Sequence, residues 1–337
     1  MPFRECPTIL LTTLSLSSRH TASDWGLLLA LTVLWGSAFL FTKIAVSTLP
    51  SPWVVVGRLV IGSLLLVPLA LAVAGRLPRD RRLWLFLVLM ALFGNALPFT
   101  LIAWGQRFID SGLAGILMAV MPLATLSLSH YLVPGERLTV YRIGGFVLGF
   151  VGVVVLMGPE ALGGLVDGEL LAMLAVLGGA FCYAISAILA RLRPPSDSLS
   201  SAAATTTIGT LMVAPTLLAA GGLPLEASPS AGSLGAVVVL GVFSTALATV
   251  LYFRLIRSAG PAFMSQLNYF IPLWAVLVGV LFLGERPEVK HLLALVLILS
   301  GVLLAQLERR AAAKRAASRA DRLEDPMGSQ MNANGRK

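Results

Sequence analysis

The feature that most constrains this chain is its succession of long apolar stretches with very few charges between them. Only 26 of its 41 Lys, Arg, Asp and Glu side chains lie within residues 23–307. The whole chain is 57% hydrophobic and 12% charged, whereas a typical soluble domain carries about 25% charged residues. So little polar surface excludes a soluble globular protein and predicts an integral membrane protein.

The apolar stretches have the length of membrane-spanning helices. About 20 consecutive apolar residues are enough to cross the hydrocarbon core as a helix. Ten such stretches occur, near 25–46, 53–74, 84–105, 112–133, 141–158, 170–190, 200–220, 233–253, 261–283 and 290–307. The sequence therefore predicts an all-α polytopic membrane protein with ten transmembrane helices.

The basic residues predict the orientation of these helices. If the N-terminus is cytoplasmic, 20 of the 25 Lys and Arg residues fall on the inner side and only 3 in outer loops. Such an excess marks cytoplasmic segments, so we expect a multi-pass protein of the cell (inner) membrane with both termini inside. The net charge of +9 then needs no nucleic-acid partner. We expect a cytoplasmic N-terminal extension at 1–22 and a basic cytoplasmic tail at 308–337 that lies against anionic lipid.

Short motifs recur in the same order in the two halves of the chain. Gly-Ser-Ala-Phe at 36–39 corresponds to Gly-Gly-Ala-Phe at 178–181. Further along, Leu-Val-Pro-Gly-Glu-Arg at 132–137 corresponds to Leu-Phe-Leu-Gly-Glu-Arg at 281–286. The shared order predicts an internal repeat.

The predicted repeats are 23–159, with spans one to five, and 168–307, with spans six to ten. Because each contains an odd number of spans, the second must enter the membrane from the opposite face. Inverted-topology pairs of this kind place a substrate near the midplane between the halves and alternate access to it. The sequence thus predicts a transporter with a central cavity.

The residues that form this pattern also resemble a known family. Leu-Trp-Gly-Ser-Ala-Phe at 34–39, Arg58 early in span two, and Gly-Glu-Arg after spans four and nine are similar to motifs of EamA-type bacterial exporters in the drug/metabolite transporter superfamily. The resemblance covers about residues 23–307 and implies secondary transport of a small molecule. Within that superfamily the chain looks most like exporters of amino acids and other metabolites. Drugs, nucleosides and nucleotide sugars are the alternative cargoes.

Other function classes find little support in the sequence. It contains no Gly-x-Ser-x-Gly or His-Glu-x-x-His motif and no acidic residue between the span ends, so we predict no enzyme activity, cofactor or metal site. A channel or a non-transporting membrane scaffold is a further alternative, although a repeat within one chain favours alternating access over a symmetric pore. We expect the lipid bilayer and a small-molecule substrate as partners, and a monomer or homodimer.

Amide and aromatic side chains near the midplane are the candidates for the binding site. A buried amide needs hydrogen-bond partners in the membrane, and aromatic faces supply apolar contact to a ligand. The alternative is that these side chains serve helix packing. The predicted substrate-binding residues are Trp35, Phe39, Asn95, Phe99, Tyr183, Gln266, Asn268 and Tyr269.

Four further residues are predicted to take part in gating or to line a vestibule. Lys43 and Arg58 lie in the outer parts of their spans, where a long basic side chain either snorkels to the interface or attracts a substrate carboxylate. Pro122 and Pro272 interrupt their spans, which frees backbone carbonyl groups and permits bending.

Glu285 of the second Gly-Glu-Arg motif also has two interpretations. A glutamate at a span end either fixes the turn, by pairing locally or by capping the next helix, or forms part of a gate. A third motif, Gly145 and Gly149 on span five, allows close helix packing, either inside the bundle or in a dimer.

Overall fold

The computed structural model describes residues 20–74, 80–133, 139–158, 168–219 and 229–324. Most of the predicted extension at 1–22, the end of the tail at 308–337 and the first Gly-Glu-Arg motif at 135–137 lie outside these ranges. Within the described ranges the regular structure is helical throughout, without strands. The prediction of an all-α polytopic membrane protein is therefore confirmed.

Nine of the described helices are long and apolar enough to cross a membrane. A further apolar helix has 17 residues. In chain order the helices are α1 (Ala22–Val46), α2 (Ser51–Val73), α3 (Arg81–Gly105), α4 (Ser111–Leu132), α5 (Val140–Met157), α6 (Gly168–Leu192), α7 (Ser198–Leu218), α8 (Ala231–Pro261), the shorter α9 (Leu267–Leu283) and α10, whose apolar part is Val289–Leu307.

The eighth span ends later than the sequence predicts, whereas the break before the ninth span lies at its predicted start. The predicted spans were 233–253 and 261–283, whereas α8 extends to Pro261 and α9 begins at Leu267. The break between the two helices comes at Gly260, whose φ of 80° lies in the left-handed region. Glycine adopts this conformation without steric cost, so the chain turns there and not after residue 253.

Helices α5 and α10 are joined by direct backbone contact. A methyl group on Gly145 would lie 2.4 Å from the carbonyl oxygen of Gly301, and one on Gly301 would lie 2.4 Å from that of Gly145. Gly152 meets the carbonyl oxygen of Ala294 in the same way, at 3.1 Å. The glycine motif of α5 thus serves packing inside the bundle, because only glycine permits so close an approach.

Two of the long helices contain a wide, π-helical turn. One is Leu92–Ala96 in α3 and the other is Leu240–Leu247 in α8. Such turns shift the hydrogen bonds by one residue, often occur at functional sites, and leave some carbonyl groups to other donors. Thr245 satisfies one of them, since its hydroxyl donates to the carbonyl of Leu240 at 2.9 Å.

The main contacts run between helices of the first and second halves of the chain. Helix α1 packs against α8 and α9, and α6 packs against α3 and α4. The remaining large contacts join α2 to α7 and α8, α4 to α9, and α5 to α10. Side chains that project from these interfaces consequently meet partners from the other half.

Candidate functional site

Arg58 of α2 is turned into the helix bundle. Its Nε donates a hydrogen bond of 2.9 Å to the hydroxyl of Thr245 on α8. Its guanidinium carbon lies 3.9 Å above the ring centre of Phe99 on α3, which is a cation–π contact. Arg58 therefore points into the bundle and not towards the membrane interface. The snorkelling interpretation of the sequence does not apply to this residue.

Tyr183 of α6 completes the group around Arg58. Its ring meets that of Phe99 edge to face, with centroids 6.4 Å apart, and Phe99 in turn lies against the guanidinium. We call Arg58, Phe99, Tyr183 and Thr245 the Arg58 cluster. It draws one residue from each of four helices, two in each half of the chain, and brings together two of the predicted substrate-binding residues.

The Arg58 cluster lies deep in the bundle. At about 1.5 Å per residue, Tyr183 is roughly 22 Å along α6 and Thr245 roughly 21 Å along α8. Both positions are near the middle of their helices, which are 25 and 31 residues long and thus roughly 37 and 46 Å. Arg58 starts nearer the end of α2 and reaches this depth with its long side chain.

Trp35 lies beside the cluster and joins α1 to the wide turn of α8. Its indole Nε1 donates to the carbonyl of Ser244 at 3.2 Å, while the Ser244 hydroxyl donates to the carbonyl of Leu34 at 3.0 Å. The indole ring lies 5.5 Å from the ring of Tyr252. The polar edge of Trp35 is thus committed to the protein, and its ring face is the part that could meet a ligand.

Phe39 and Asn95 occupy different surroundings. Phe39 is 9% exposed and packs in a core cluster with Leu113 and Ile116, so the structure places it as a packing residue. Asn95 lies on the wide turn of α3, half-buried beside Gly209 of α7. Its amide has no hydrogen-bond partner among the described residues, so it is available to a ligand.

The three candidates near α9 belong to the bend that starts this helix. Asn268 donates from its amide to the carbonyl of Ser265 at 3.1 Å, and Tyr269 packs against Leu123 and Val302. Gln266 immediately precedes α9 and does not cap it with its side chain. The contacts of these residues therefore concern α9 and its neighbours, whereas Phe99 and Tyr183 meet at Arg58.

The predicted outer end of the bundle is tied together by two side chains. Lys43 at the end of α1 donates from Nζ to the carbonyl of Ile109 at 2.7 Å. Glu285, in the turn after α9, accepts from the Ser111 amide and hydroxyl, both at 2.7 Å, and from the Gly112 amide at 2.9 Å. Glu285 thus caps α4, a helix of the other half, whereas the sequence interpretation was a cap on the next helix in the chain.

The charge of Glu285 affects the pKa of the neighbouring Asp110. Partial burial, with the Glu285 carboxylate as the next contribution, raises the pKa of Asp110, while Lys43 and His291 act in the opposite direction. Two acidic groups are thus close together at the start of α4, but only Glu285 caps it, because the Asp110 side chain makes no cap hydrogen bond.

Pro122 and Pro272 lie at helix irregularities between the halves. Pro122 follows the turn that divides α4 and is buried. Pro272 lies within α9, where its Cα would be 3.9 Å from a methyl group on Gly115 of α4. Both prolines therefore lie in helices that meet along the α4–α9 contact.

Sequence reasoning missed Ser244, Thr245 and Gln106. Gln106 is fully buried and donates to the Phe39 carbonyl at 2.9 Å. Serine and threonine in a span usually bond to their own helix, so no local pattern distinguishes Thr245 from Thr249. The wide turn of α8 is what directs Thr245 to Arg58.

An apolar helix bundle with a buried polar cluster shared between its halves defines a polytopic membrane protein of the transporter class. The chain belongs to the EamA-like transporter family, whose model matches residues 24–158 and 170–307. This confirms the resemblance found in the sequence. Relatives in Escherichia coli and Bacillus subtilis are named as transporters.

Similar proteins come from several bacteria. The chain is 28% identical to "Uncharacterized inner membrane transporter YedA" of Escherichia coli K12 over 84% of this chain and 90% of that protein. It is 27% identical to "Probable terminal-alkyne amino-acid exporter" of Streptantibioticus cattleyicolor over 86% and 95% of the two chains. A solved structure described as "Crystal structure of protein" superposes with a TM-score of 0.58 at 21% identity, covering 87% of this chain and 99% of that one. That similarity shows a shared fold.

Proposed function

We propose that the protein is a secondary transporter that exports small metabolites, amino acids among them, across the cell (inner) membrane by alternating access. The observation that carries this proposal is the Arg58 cluster, in which polar and aromatic side chains of both halves meet at central depth. Such a group is typical of the binding sites of carriers built from two halves. A relative named as an amino-acid exporter supports the cargo.

The proposal includes ten spans in two inverted five-helix repeats, with α9 as a short span. The main helix contacts support it, because they occur in pairs related by a shift of five helices. The α1–α8 contact corresponds to α6–α3, and α1–α9 corresponds to α6–α4. The wide turns fall in the third helix of each set of five. The two family matches, 24–158 and 170–307, support repeats at 23–159 and 168–307.

With both termini cytoplasmic, Lys43 and Glu285 lie at the outer end of the bundle. Lys43 links α1 to the segment before α4, and Glu285 links the turn after α9 to α4. We propose that these contacts hold the outer end closed in this conformation. The Glu285 contact connects the two halves, so alternating access requires that it break when the outer end opens.

Counterflow in proteoliposomes tests the proposed function. Vesicles loaded with unlabelled amino acids are diluted into the same amino acids in labelled form, one at a time, and transient accumulation of label is expected for a subset. Asn95→Ala should lower that accumulation without lowering the amount of protein in the vesicles. Accumulation of labelled nucleosides but of no amino acid would contradict the proposed cargo. Absence of accumulation for every labelled compound would contradict the transporter function.

A further inference from the structure

We propose that Arg58 anchors a substrate carboxylate, and that the carboxylate, not the ammonium group, defines what the protein carries. The inference rests on the proposed function, because it assigns the substrate class of the same site. It predicts that the protein carries 2-oxo acids as well as amino acids, and that it rejects the amides of these amino acids.

The first argument is that Arg58 has no counter-ion in the membrane-spanning helices. Acidic side chains occur in these helices only in first turns, at Asp24 of α1 and Glu169 of α6. The Asp24 carboxylate is already bonded to Thr21 and Ser258. A charged side chain within a bundle is costly and is normally paired or functional. The Phe99 ring stabilises the guanidinium but does not neutralise it.

The second argument is that the guanidinium is fixed on one side and open on the other. Thr245 occupies Nε, and Phe99 covers one face of the plane. The two terminal nitrogens have no hydrogen-bond partner among the described residues. These nitrogens form the planar fork that binds a carboxylate through two parallel hydrogen bonds. Arg58 is thus held ready for an anion of that shape.

The third argument concerns the other end of an amino acid. Because the described spans contain no carboxylate near the Arg58 cluster, an ammonium group there would meet only neutral acceptors. Such a contact has a charge on one side only, whereas a carboxylate bound by the guanidinium forms a bidentate ion pair. The rings of Phe99 and Tyr183 offer an apolar surface for the rest of the substrate. Loss of the ammonium group should therefore matter less than loss of the carboxylate.

Competition on the unaltered protein tests the substrate class. For each amino acid that exchanges in counterflow, the competitors are the unlabelled amino acid, the 2-oxo acid with the same side chain, and the amide of the amino acid. The acid and the 2-oxo acid should inhibit at similar concentrations, and the amide should need roughly 10- to 100-fold more. An amide as potent as the acid, or a 2-oxo acid without effect, would overturn the proposal.

Variants test the anchor itself. Arg58→Gln should lower exchange roughly 10- to 100-fold, and Arg58→Lys, which keeps the charge but loses the fork, should lie between. Arg107→Gln is the matched control, because Arg107 also faces an aromatic ring, that of Phe108 at 5.9 Å, but is exposed at a helix end. Exchange by Arg58→Gln at the rate of the Arg107→Gln control would refute the assignment.

A binding measurement separates failure of this inference from failure of the proposed function. The purified protein in detergent is melted with and without 4-methyl-2-oxopentanoate, with chloride at equal concentration as the reference. A rise in melting temperature that Arg58→Gln abolishes and Arg107→Gln retains supports the anchor even where no exchange occurs, and then the transport proposal alone fails. A rise that persists in Arg58→Gln, or no rise in the unaltered protein, counts against the anchor whether or not exchange occurs.

Discussion

Replacing Glu285 by glutamine should loosen the start of α4. One carboxylate oxygen accepts from the Ser111 amide and hydroxyl, and the other accepts from the Gly112 amide. Glutamine keeps one oxygen as an acceptor, but its other terminal atom is an amide nitrogen, which cannot accept a hydrogen bond. At least one of these donors therefore loses its acceptor. It also removes the negative charge from a helix N-terminus.

The magnitude follows from these losses. A hydrogen bond to a charged group contributes about 1.5–3 kcal/mol, and a charge at a helix end contributes about 0.3–1 kcal/mol. Together they give a destabilisation of roughly 2–4 kcal/mol, within the range for a lost buried polar contact. A change of 1 kcal/mol moves the melting temperature by about 2–4 °C in chains of 150–250 residues, so a fall of several °C is expected here.

The assay is thermal unfolding in detergent, followed by tryptophan fluorescence, with a control from the same turn. Glu288→Gln removes an exposed carboxylate that pairs with Lys290 at 3.1 Å, and exposed ion pairs contribute about 0–1 kcal/mol. It should leave the melting temperature almost unchanged. If Glu285→Gln has the same melting temperature as Glu288→Gln, Glu285 does not stabilise α4 and the reasoning is refuted.

Gly279 gives an independent check of the same contact. A methyl group there would lie 2.2 Å from a carboxylate oxygen of Glu285. Gly279→Ala should therefore displace Glu285 and destabilise the parent chain. The same substitution should cost much less in a Glu285→Ala background, because contacting residues are not additive. Equal costs in both backgrounds would contradict the geometry.

Three further predictions concern packing, pH and topology. Gly145→Ala should lower the melting temperature by several °C, since overpacking costs about 1–3 kcal/mol, whereas Gly144→Ala, whose methyl group would lie 3.4 Å from Leu304, should not; equal melting of the two would contradict the α5–α10 contact. The pKa of Asp110 is raised in the folded state, so its ionisation opposes folding at neutral pH, and this penalty disappears as the pH falls through the raised pKa. Asp110→Asn should therefore raise the melting temperature more at pH 7 than at pH 4. A larger rise at pH 4 would exclude this explanation. In intact cells an impermeant thiol reagent should label Arg107→Cys, and should label Pro195→Cys only after lysis; labelling of the latter without lysis would overturn the predicted orientation.

The hydropathy pattern predicted the helices well because the hydrocarbon core permits few backbone structures. Every backbone group in the hydrocarbon core must be bonded within the protein, so an apolar run of sufficient length forms a helix wherever it occurs. The start of α2 lies within two residues of the predicted span. The ninth span was predicted to start at 261, directly after the break at Gly260, but the eighth was predicted to end too early, at 253.

The candidate site was only partly predictable for a related reason. Depth along a helix can be counted from the sequence, and two of the residues it selected, Phe99 and Tyr183, are in ring contact. The direction of a side chain around the helix depends on packing and on irregular turns. Phe39 therefore proved to be buried in the core, and Thr245 was not recognised as the partner of Arg58.

The wide turn of α8 has a consequence for how this chain is aligned and altered. A π turn holds one more residue than the α turn it replaces. Leu240–Leu247 therefore behaves as a single-residue insertion inside a span. Relatives with a regular helix here will align correctly only with a gap in the middle of that span. Removing one residue from the turn would rotate everything before it by about 100° relative to everything after it. Thr245 and Val237, which both face α2 today, could then no longer do so together.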